Sequence, residues 1–354
     1  MKDALGAFSA QERAEYETLV NLWHATEPMT TEQKTRMDEL HEKTIALPNV
    51  VSFSGGQTSG YMLRRLLDTE PDFAKRFRVI FCNTGKEHDA TLDFVHDVES
   101  KWGVKVTWLE YTRIPARDID PLLVPEGRKR ANLLKAAEAD EGAHWFREVR
   151  WETAARRFDS MTPFDEMLGW AAALPNVRGR SCSAFLKQRT IQRYLQANGI
   201  GAYNAFIGIR HDEAHRALEI VANCDDKNET PRFPLIDAKI TKAHVDGFWE
   251  GHAFKLNIPN HMGNCDFCFL KARWKREAMA RKDPQGAQWW ADWEAKFSAK
   301  GVTGDGAVFR KGQSYDALIH AAGQPELLLG DEVDEDIPCS CAVGGYRAKE
   351  DDKQ

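Results

Sequence analysis

The spacing of apolar positions changes abruptly within VVSFSGGQTSGYML, residues 50–63. Val50, Val51 and Phe53 suit a buried strand, whereas Tyr61, Met62, Leu66 and Leu67 recur at helical intervals. The pattern predicts a strand, a glycine loop and a helix. Ser54 stands three residues before Gln57, the arrangement of a capping box for that helix. Gly55 and Gly56 would let a ligand approach the backbone. Free N–H groups and the positive end of the helix dipole make such a turn a natural phosphate site. An ordinary strand-to-helix connection has the same outline, but Ser52, Ser54, Thr58 and Ser59 place four hydroxyls around the two glycines. No lysine follows a second glycine, so this is not the G-x-x-x-x-G-K-[ST] loop.

The same reading extends along the chain. RFRVIFCNTG and KVTWLEYTR form a second and third strand around the helical run HDATLDFVHDVESKWG, and AYNAFIGIR forms a fourth. Strands alternating with helices indicate an α/β fold, a doubly wound parallel sheet covered on both faces. Residues 1–47 are expected to be a helical N-terminal extension, 48–272 the nucleotide-binding α/β domain, and 273–354 a helical C-terminal region with a cysteine-bearing tail. Residues from about 124 to 175, rich in charge, are expected to be a helical insertion. Trp289, Trp293 and Phe297 recur every four residues and are expected to pack a helix on the main domain. Ligands of an open parallel sheet gather at the carboxyl ends of its strands. The Ser-Gly-Gly loop, NTGKEHDAT and GIRHDEAHR all follow apolar runs and so share that edge.

Composition narrows the setting. The 354 residues, 42% hydrophobic, suffice for a large core, and no apolar run approaches the roughly 18 residues needed to span a bilayer. The expectation is a cytoplasmic protein with no membrane partner. A net charge of −6 does not itself predict a nucleic-acid partner, but no Asp or Glu lies between Met167 and His211. Arg178, Arg180, Lys187, Arg189, Arg193 and Arg210 fall in that window, which suits either a solvated face or a crevice for phosphates. Seven cysteines, an odd number, argue against a disulfide framework and for thiols, metal or cluster ligation. Cys265 and Cys268 form a C-x-x-C pair, Cys182 opens the basic segment, and Cys339 and Cys341 lie in the tail. Cys82 reads as a buried core residue, and Cys224 has no companion nearby. His211 and His215 are the histidines near the proposed crevice, where proton transfer is conceivable.

The segments SFSGGQTS, FCNTGKEHDATLDFV, CSAFLKQRTIQRYL, GIRHDEAHR and PLIDAKITKAHVDGFW stand in an order and spacing that resembles the phosphoadenosine-phosphosulfate (PAPS) reductase family. That family belongs to the PP-loop ATP pyrophosphatases, with the adenine nucleotide α-hydrolase-like fold. The resemblance covers about residues 48–272 and is strong to uncharacterised phage and bacterial members that share a Gly-Asn-Cys-x-x-Cys-Phe segment. It implies that Ser52, Ser54, Gly55, Gly56, Gln57, Thr58 and Ser59 hold phosphate, with Asn83, Thr84 and Gly85 beside the nucleotide. It also implies that Lys187, Arg210, Asp212, Glu213 and Arg216 act at the phosphates or substrate, Arg189 adding charge. In the family, a cysteine at the position of Cys182 and a later C-x-x-C pair can ligate a [4Fe–4S] cluster, here through Cys182, Cys265 and Cys268 with Cys341 or Cys339 as fourth ligand. Zinc or free thiols remain alternatives.

Two departures from the family pattern bear on function. Gln57 and Thr58 stand where ATP-cleaving relatives often carry Lys and Asp, which bears on the handling of Mg2+ and pyrophosphate. The Glu-Cys-Gly-x-His segment of sulfonucleotide reductases is absent, and the tail reads IPCSCAVGGY. The resemblance therefore implies first an ATP pyrophosphatase that adenylates an acceptor, a nucleic acid or small molecule, for sulfur transfer. A thiol-dependent reductase of an adenylyl sulfate (PAPS or APS) and a non-catalytic nucleotide-binding subunit are the alternatives. A sulfur-donor or electron-donor protein would be a partner in the first two.

Overall fold

The computed structural model describes residues 15, 18–19, 22, 29–45, 47–124, 126–222, 228–259 and 262–324. Most of the N-terminal extension, Cys224, His261, and the tail with Cys339 and Cys341 lie outside the described residues.

Helix α1 spans Thr31–Ile45. Thr30 and Gln33 cap it reciprocally: the Thr30 N–H donates to Gln33 Oε1 at 2.8 Å, and the Gln33 N–H to Thr30 Oγ1 at 3.1 Å. Then follow β1 (Asn49–Ser52), α2 (Gln57–Thr69), β2 (Phe77–Asn83), α3 (Asp89–Trp102) and β3 (Val106–Pro115). The six strands lie in the order β4-β3-β2-β1-β5-β6, with β5 at Tyr203–Ile207 and β6 at Glu229–Arg232. All neighbours are parallel except β3 and β4. The fold is the mixed α/β, mostly parallel sheet that the apolar runs predict.

Alternation along the strands divides the core. Val51, Phe53, Val79, Phe81 and Trp108 face α2, α3 and the later helix α8 (Lys242–Glu250). Val50, Ile80, Cys82, Leu109 and Ala205 face the opposite layer, built from α6 (Thr190–Ala197) and α7 (Ala214–Ala222). Cys82 is buried in that layer, as expected for a core thiol. A third cluster joins α5 (Pro163–Trp170) to the C-terminal helices α9 (Arg273–Lys282), α10 (Pro284–Ala299) and α11 (Tyr315–Ala322). Trp290, Trp293 and Phe297 are buried there, so the aromatic spacing of α10 does report core packing. No described helix is long and apolar enough to cross a membrane.

Two expectations need correction. The stretch 124–175 is not wholly helical: α4 (Arg128–Glu138) is followed by strand β4 (Gly142–Val149), antiparallel to β3 from Trp108↔Val149 to Pro115↔Gly142. Aromatic His144, Trp145 and Phe146 suit a pleated surface, and pairing with the long β3 outweighs the helical look of the flanking charges. The second correction concerns the cap of α2. Gly56 is its N-cap without a side-chain bond, because Gly55 at φ 73° turns the chain and carries Ser54 out of capping position.

The β3–β4 pairing holds a buried titrating pair. Tyr111 Oη and His144 Nδ1 are hydrogen-bonded. Burial first, then the charges of Arg113, Arg189 and Arg193, push His144 from 6.5 down to about 3. The unfolded chain therefore binds more protons than the folded one across that interval, so this contribution is fully present above about pH 6.5 and is lost as pH falls towards 3. At about 1.4 kcal/mol per unit, stability should fall by a few kcal/mol over this range. Urea unfolding as a function of pH should show a shallower slope for His144→Phe; an unchanged slope would assign the pH dependence to other groups.

Candidate functional site

The order of strands reverses between β1 and β5, the place where an open α/β sheet opens a ligand crevice. The loop after β1 lies there. Ser54 Oγ and Ser59 Oγ are 2.9 Å apart, and Ser59 Oγ also lies within 2.9 Å of the Gly56 carbonyl, to which it donates. These bonds hold the start of α2 against the glycine turn. Asn264 closes the loop from outside, its Nδ2 donating to the Ser54 carbonyl at 2.9 Å.

The turn after β5 reaches the same loop. Arg210 Nη1 donates to Thr58 Oγ1 at 3.2 Å, while its Nε is 3.1 Å from Asp212 Oδ1 and its Nη2 3.3 Å from Glu213 Oε1. Glu213 also receives Arg216 Nη1 at 2.8 Å. Burial works against the charge of Asp212, but its bonds to Arg210 hold its carboxyl below the usual range. The Arg210 fork is thus placed on the phosphate loop and oriented by two acids. Arg210→Ala should weaken adenine-nucleotide binding by about tenfold or more, the equivalent of a charge-assisted hydrogen bond, with little change in melting temperature. Calorimetry with ATP and a thermal melt test this; unchanged affinity would make the cluster a surface ion network.

The loop after β2 is organised by a buried acid. Glu87 is 1% exposed, and its Oε2 accepts from the Thr84 N–H at 2.8 Å and Thr84 Oγ1 at 2.7 Å. Its Oε1 lies 3.6 Å from Lys187 Nζ and accepts from Cys265 Sγ at 3.7 Å. Asn83 is turned inward: Nδ2 donates to Glu110 Oε1 and the Ala155 carbonyl, and Oδ1 accepts from the Gly85 N–H. It therefore shapes this loop from within.

Cys182, Cys265 and Cys268 line one cavity of about 30 Å³, together with Thr84, Arg180, Lys187 and Trp290. Cys182 comes from the turn Ser181–Ser183, and Lys187 from the π-helical turn Ala184–Arg189 that leads into α6. Such π turns are often found at functional sites. Burial pushes the Cys182 thiol up to about 12 and raises Cys265 and Cys268 as well. For Lys187, burial alone would lower the pKa; Cys265 and Glu87 outweigh it, and the amine is held protonated. Among the described residues, no group of three or more His, Cys, Asp or Glu side chains is arranged to hold a metal ion. The three thiols share a cavity without closing on one point.

The structure thus brings Ser54 to Ser59, Arg210, Asp212, Glu213 and Arg216 to one crevice, and Thr84, Lys187, Cys182, Cys265 and Cys268 to an adjoining cavity. Cys341 lies outside the described residues, and His211 and His215 are exposed. Sequence reasoning passed over Glu87, Asn264 and Trp290. The position of Asn264 directly before the C-x-x-C pair was the available signal.

Residues 48–163 match the phosphoadenosine phosphosulfate reductase domain. The chain is 30% identical over 249 residues to an uncharacterized nin region protein of Escherichia phage lambda, covering 68% of this chain and 71% of that protein. It is 22% identical over 275 residues to an uncharacterized 37.8 kDa protein in the gpa 5′ region of Escherichia phage 186, covering 74% and 78%. No solved structure matches it. A strand, Ser-Gly-Gly loop and helix at the sheet's switch point, the reductase-domain match and the phage relatives agree, and the chain belongs to the phosphoadenosine phosphosulfate reductase family.

Proposed function

We propose that the protein is an adenine-nucleotide-dependent enzyme of sulfur chemistry, of the ATP pyrophosphatase type. The observation that carries the reading is the adjacency of a phosphate loop, with Arg210 on Thr58, to a cavity holding three cysteines and Lys187. In the proposed reaction an oxygen of the acceptor attacks the α-phosphorus, the bond to the bridging oxygen breaks, and pyrophosphate leaves with that electron pair. A sulfur nucleophile then bonds to the activated carbon as the C–O bond breaks and AMP departs. The N–H groups of the loop and the Arg210 fork would hold the phosphates and offset charge on the leaving group. Mg2+ would add to that charge balance, although no acid stands at Thr58.

The cysteine cavity fits a [4Fe–4S] cluster by its donor set. A zinc ion needs sulfur atoms about 2.3 Å from a single centre, whereas a cluster spreads its thiolates around a cube. Three thiols around a shared cavity match the wider arrangement, and Lys187 offsets their charge. The cavity as it stands has room for about one or two waters, so its walls must open to seat the cluster. Bound there, the group would supply redox capacity and a place to hold sulfur. Cys182, Cys265 and Cys268 would attach it, with Glu87 fixing both Lys187 and Cys265.

The test is incubation of anaerobically purified protein with ATP or with adenylyl sulfate. Pyrophosphate and AMP released from ATP are the expected products. Sulfite from adenylyl sulfate, with ATP untouched, would replace this reading by that of a reductase; nucleotide binding without either product would make the chain a non-catalytic subunit. Iron and acid-labile sulfide analysis of the same sample tests the cluster, and zinc in its place would overturn it.

A further inference from the structure

We propose that Trp290 is the hydrogen-bond donor to inorganic sulfide held in the cysteine cavity. Helix α10 carries three indoles. Trp289 and Trp293 both donate through Nε1 to Asp165 Oδ1, at 2.9 and 3.0 Å. Trp290 lines the cysteine cavity, is 2% exposed, and its Nε1 has no acceptor among the described residues. Its ring cannot turn to find one: it stacks on Tyr315 at 5.3 Å and meets Phe164 and Phe309 edge-on at 5.6 and 4.7 Å. A buried donor left without an acceptor costs about 1–3 kcal/mol, and such a group calls for a specific partner.

The cavity narrows what that partner is. Its lining offers a protonated amine from Lys187, a guanidinium from Arg180, three thiols, and no carboxylate. Donors and positive charge call for an anion. A volume of about 30 Å³ is too small for the several heavy atoms of a phosphate or sulfate but admits a monatomic or diatomic guest. Thiol surroundings favour soft sulfur chemistry. Sulfide meets all these demands, either as free hydrosulfide or as the sulfide of a cluster attached to the three cysteines. The inference rests on the reading of this cavity as a place for sulfur.

The experiment uses the full chain labelled with 15N at its tryptophan indoles, the Trp290 signal being assigned by its loss in Trp290→Phe. Sodium hydrosulfide is added anaerobically to metal-free protein; a second sample is reconstituted with iron and sulfide; a third receives sodium chloride. The Trp290 N–H signal should move downfield while those of Trp289 and Trp293 stay in place. A shift with hydrosulfide alone identifies free sulfide, and a shift after reconstitution alone identifies cluster sulfide. In the latter case Trp290→Phe should make the midpoint potential more negative, since hydrogen bonds to cluster sulfur raise it. A signal that does not move in either sulfide sample, or that moves equally with chloride, overturns the proposal. If Trp290→Phe does not fold, direct resonance assignment of the unsubstituted chain keeps the test available. Calorimetry with ATP on the same samples separates the two readings, because a chain that fails to bind ATP yet shows the indole shift loses the nucleotide reaction and keeps this donor.

Discussion

Glu87→Ala is expected to destabilise the protein by about 3–5 kcal/mol, as when one partner of a buried ion pair is removed. Glu87 and Lys187 are both buried, and their side chains meet at 3.6 Å. Without the carboxylate, the ammonium keeps its desolvation cost and loses its nearest opposite charge. The Thr84 N–H and hydroxyl lose their acceptor at the same time. Removing both ends of the pair is a different matter, since an apolar replacement of each leaves no uncompensated charge. Glu87→Ala combined with Lys187→Met should therefore recover part of the loss. Urea unfolding of the two single variants and the double variant gives the coupling directly. A Glu87→Ala protein within about 1 kcal/mol of the parent would show that the pair is solvated in practice, contrary to its burial.

Gly55→Val should remove adenine-nucleotide binding altogether. Gly55 has φ 73°, a conformation that a β-branched residue adopts only under strain. A Cβ there would also sit 2.7 Å from Thr91 Cγ2, 3.1 Å from Phe81 Cε2 and 3.2 Å from Val95 Cγ2, all on packed elements. Backbone strain of about 1–3 kcal/mol and overpacking of about 1–3 kcal/mol act together, and the loop must leave its place to relieve them. Gly56→Ala provides the contrast. Gly56 has φ −99°, and its added methyl would press only on the Asn264 side-chain amide, at 3.0 Å. It should melt close to the parent. Calorimetry with ATP on both variants, alongside thermal melts, checks the pair of expectations. ATP affinity at the parental level in Gly55→Val would remove the loop from the binding site.

How much of this was readable in the residues depended on how each one is used. Strands β1, β2, β3 and β5 are buried on both faces and betray themselves as apolar runs, such as RVIFCN in β2. Strand β4 lies at the sheet's edge and is half-buried throughout, so its charged and aromatic residues carried no such run. Strand β6 is four residues with Pro231 inside it, legible only through its pairing with β5. The phosphate loop was visible in its glycines and hydroxyls. Its capping was misread because the left-handed turn at Gly55 moves Ser54 away from the helix end. Glu87 stands between Lys86 and His88 and looks like any polar loop residue; only the approach of residues 187 and 265 makes it a buried anchor. On α10, four-residue spacing singled out Trp289, Trp293 and Phe297, while the indole facing the cysteines is Trp290, one position out of step.

One feature has a practical bearing on how this chain can be divided. The backbone of the second loop is stitched to the C-x-x-C segment: Glu87 and Cys265 form an antiparallel bridge, the His88 N–H donates to the Asn264 carbonyl at 3.1 Å, and the Asp266 N–H to the Lys86 carbonyl at 2.6 Å. Asn264 meanwhile closes on Ser54. The stretch that matches the reductase domain ends at residue 163, a hundred positions before these bonds. The recognisable portion is consequently not an autonomous piece. Excised at its apparent end, it would present Glu87, the Lys86 carbonyl and the Ser54 carbonyl to water and would lose Lys187 and all three cavity thiols. The smallest fragment able to keep both the phosphate loop and the cavity must run through residues 262–268, and through α10 as well if Trp290 is to remain beside them.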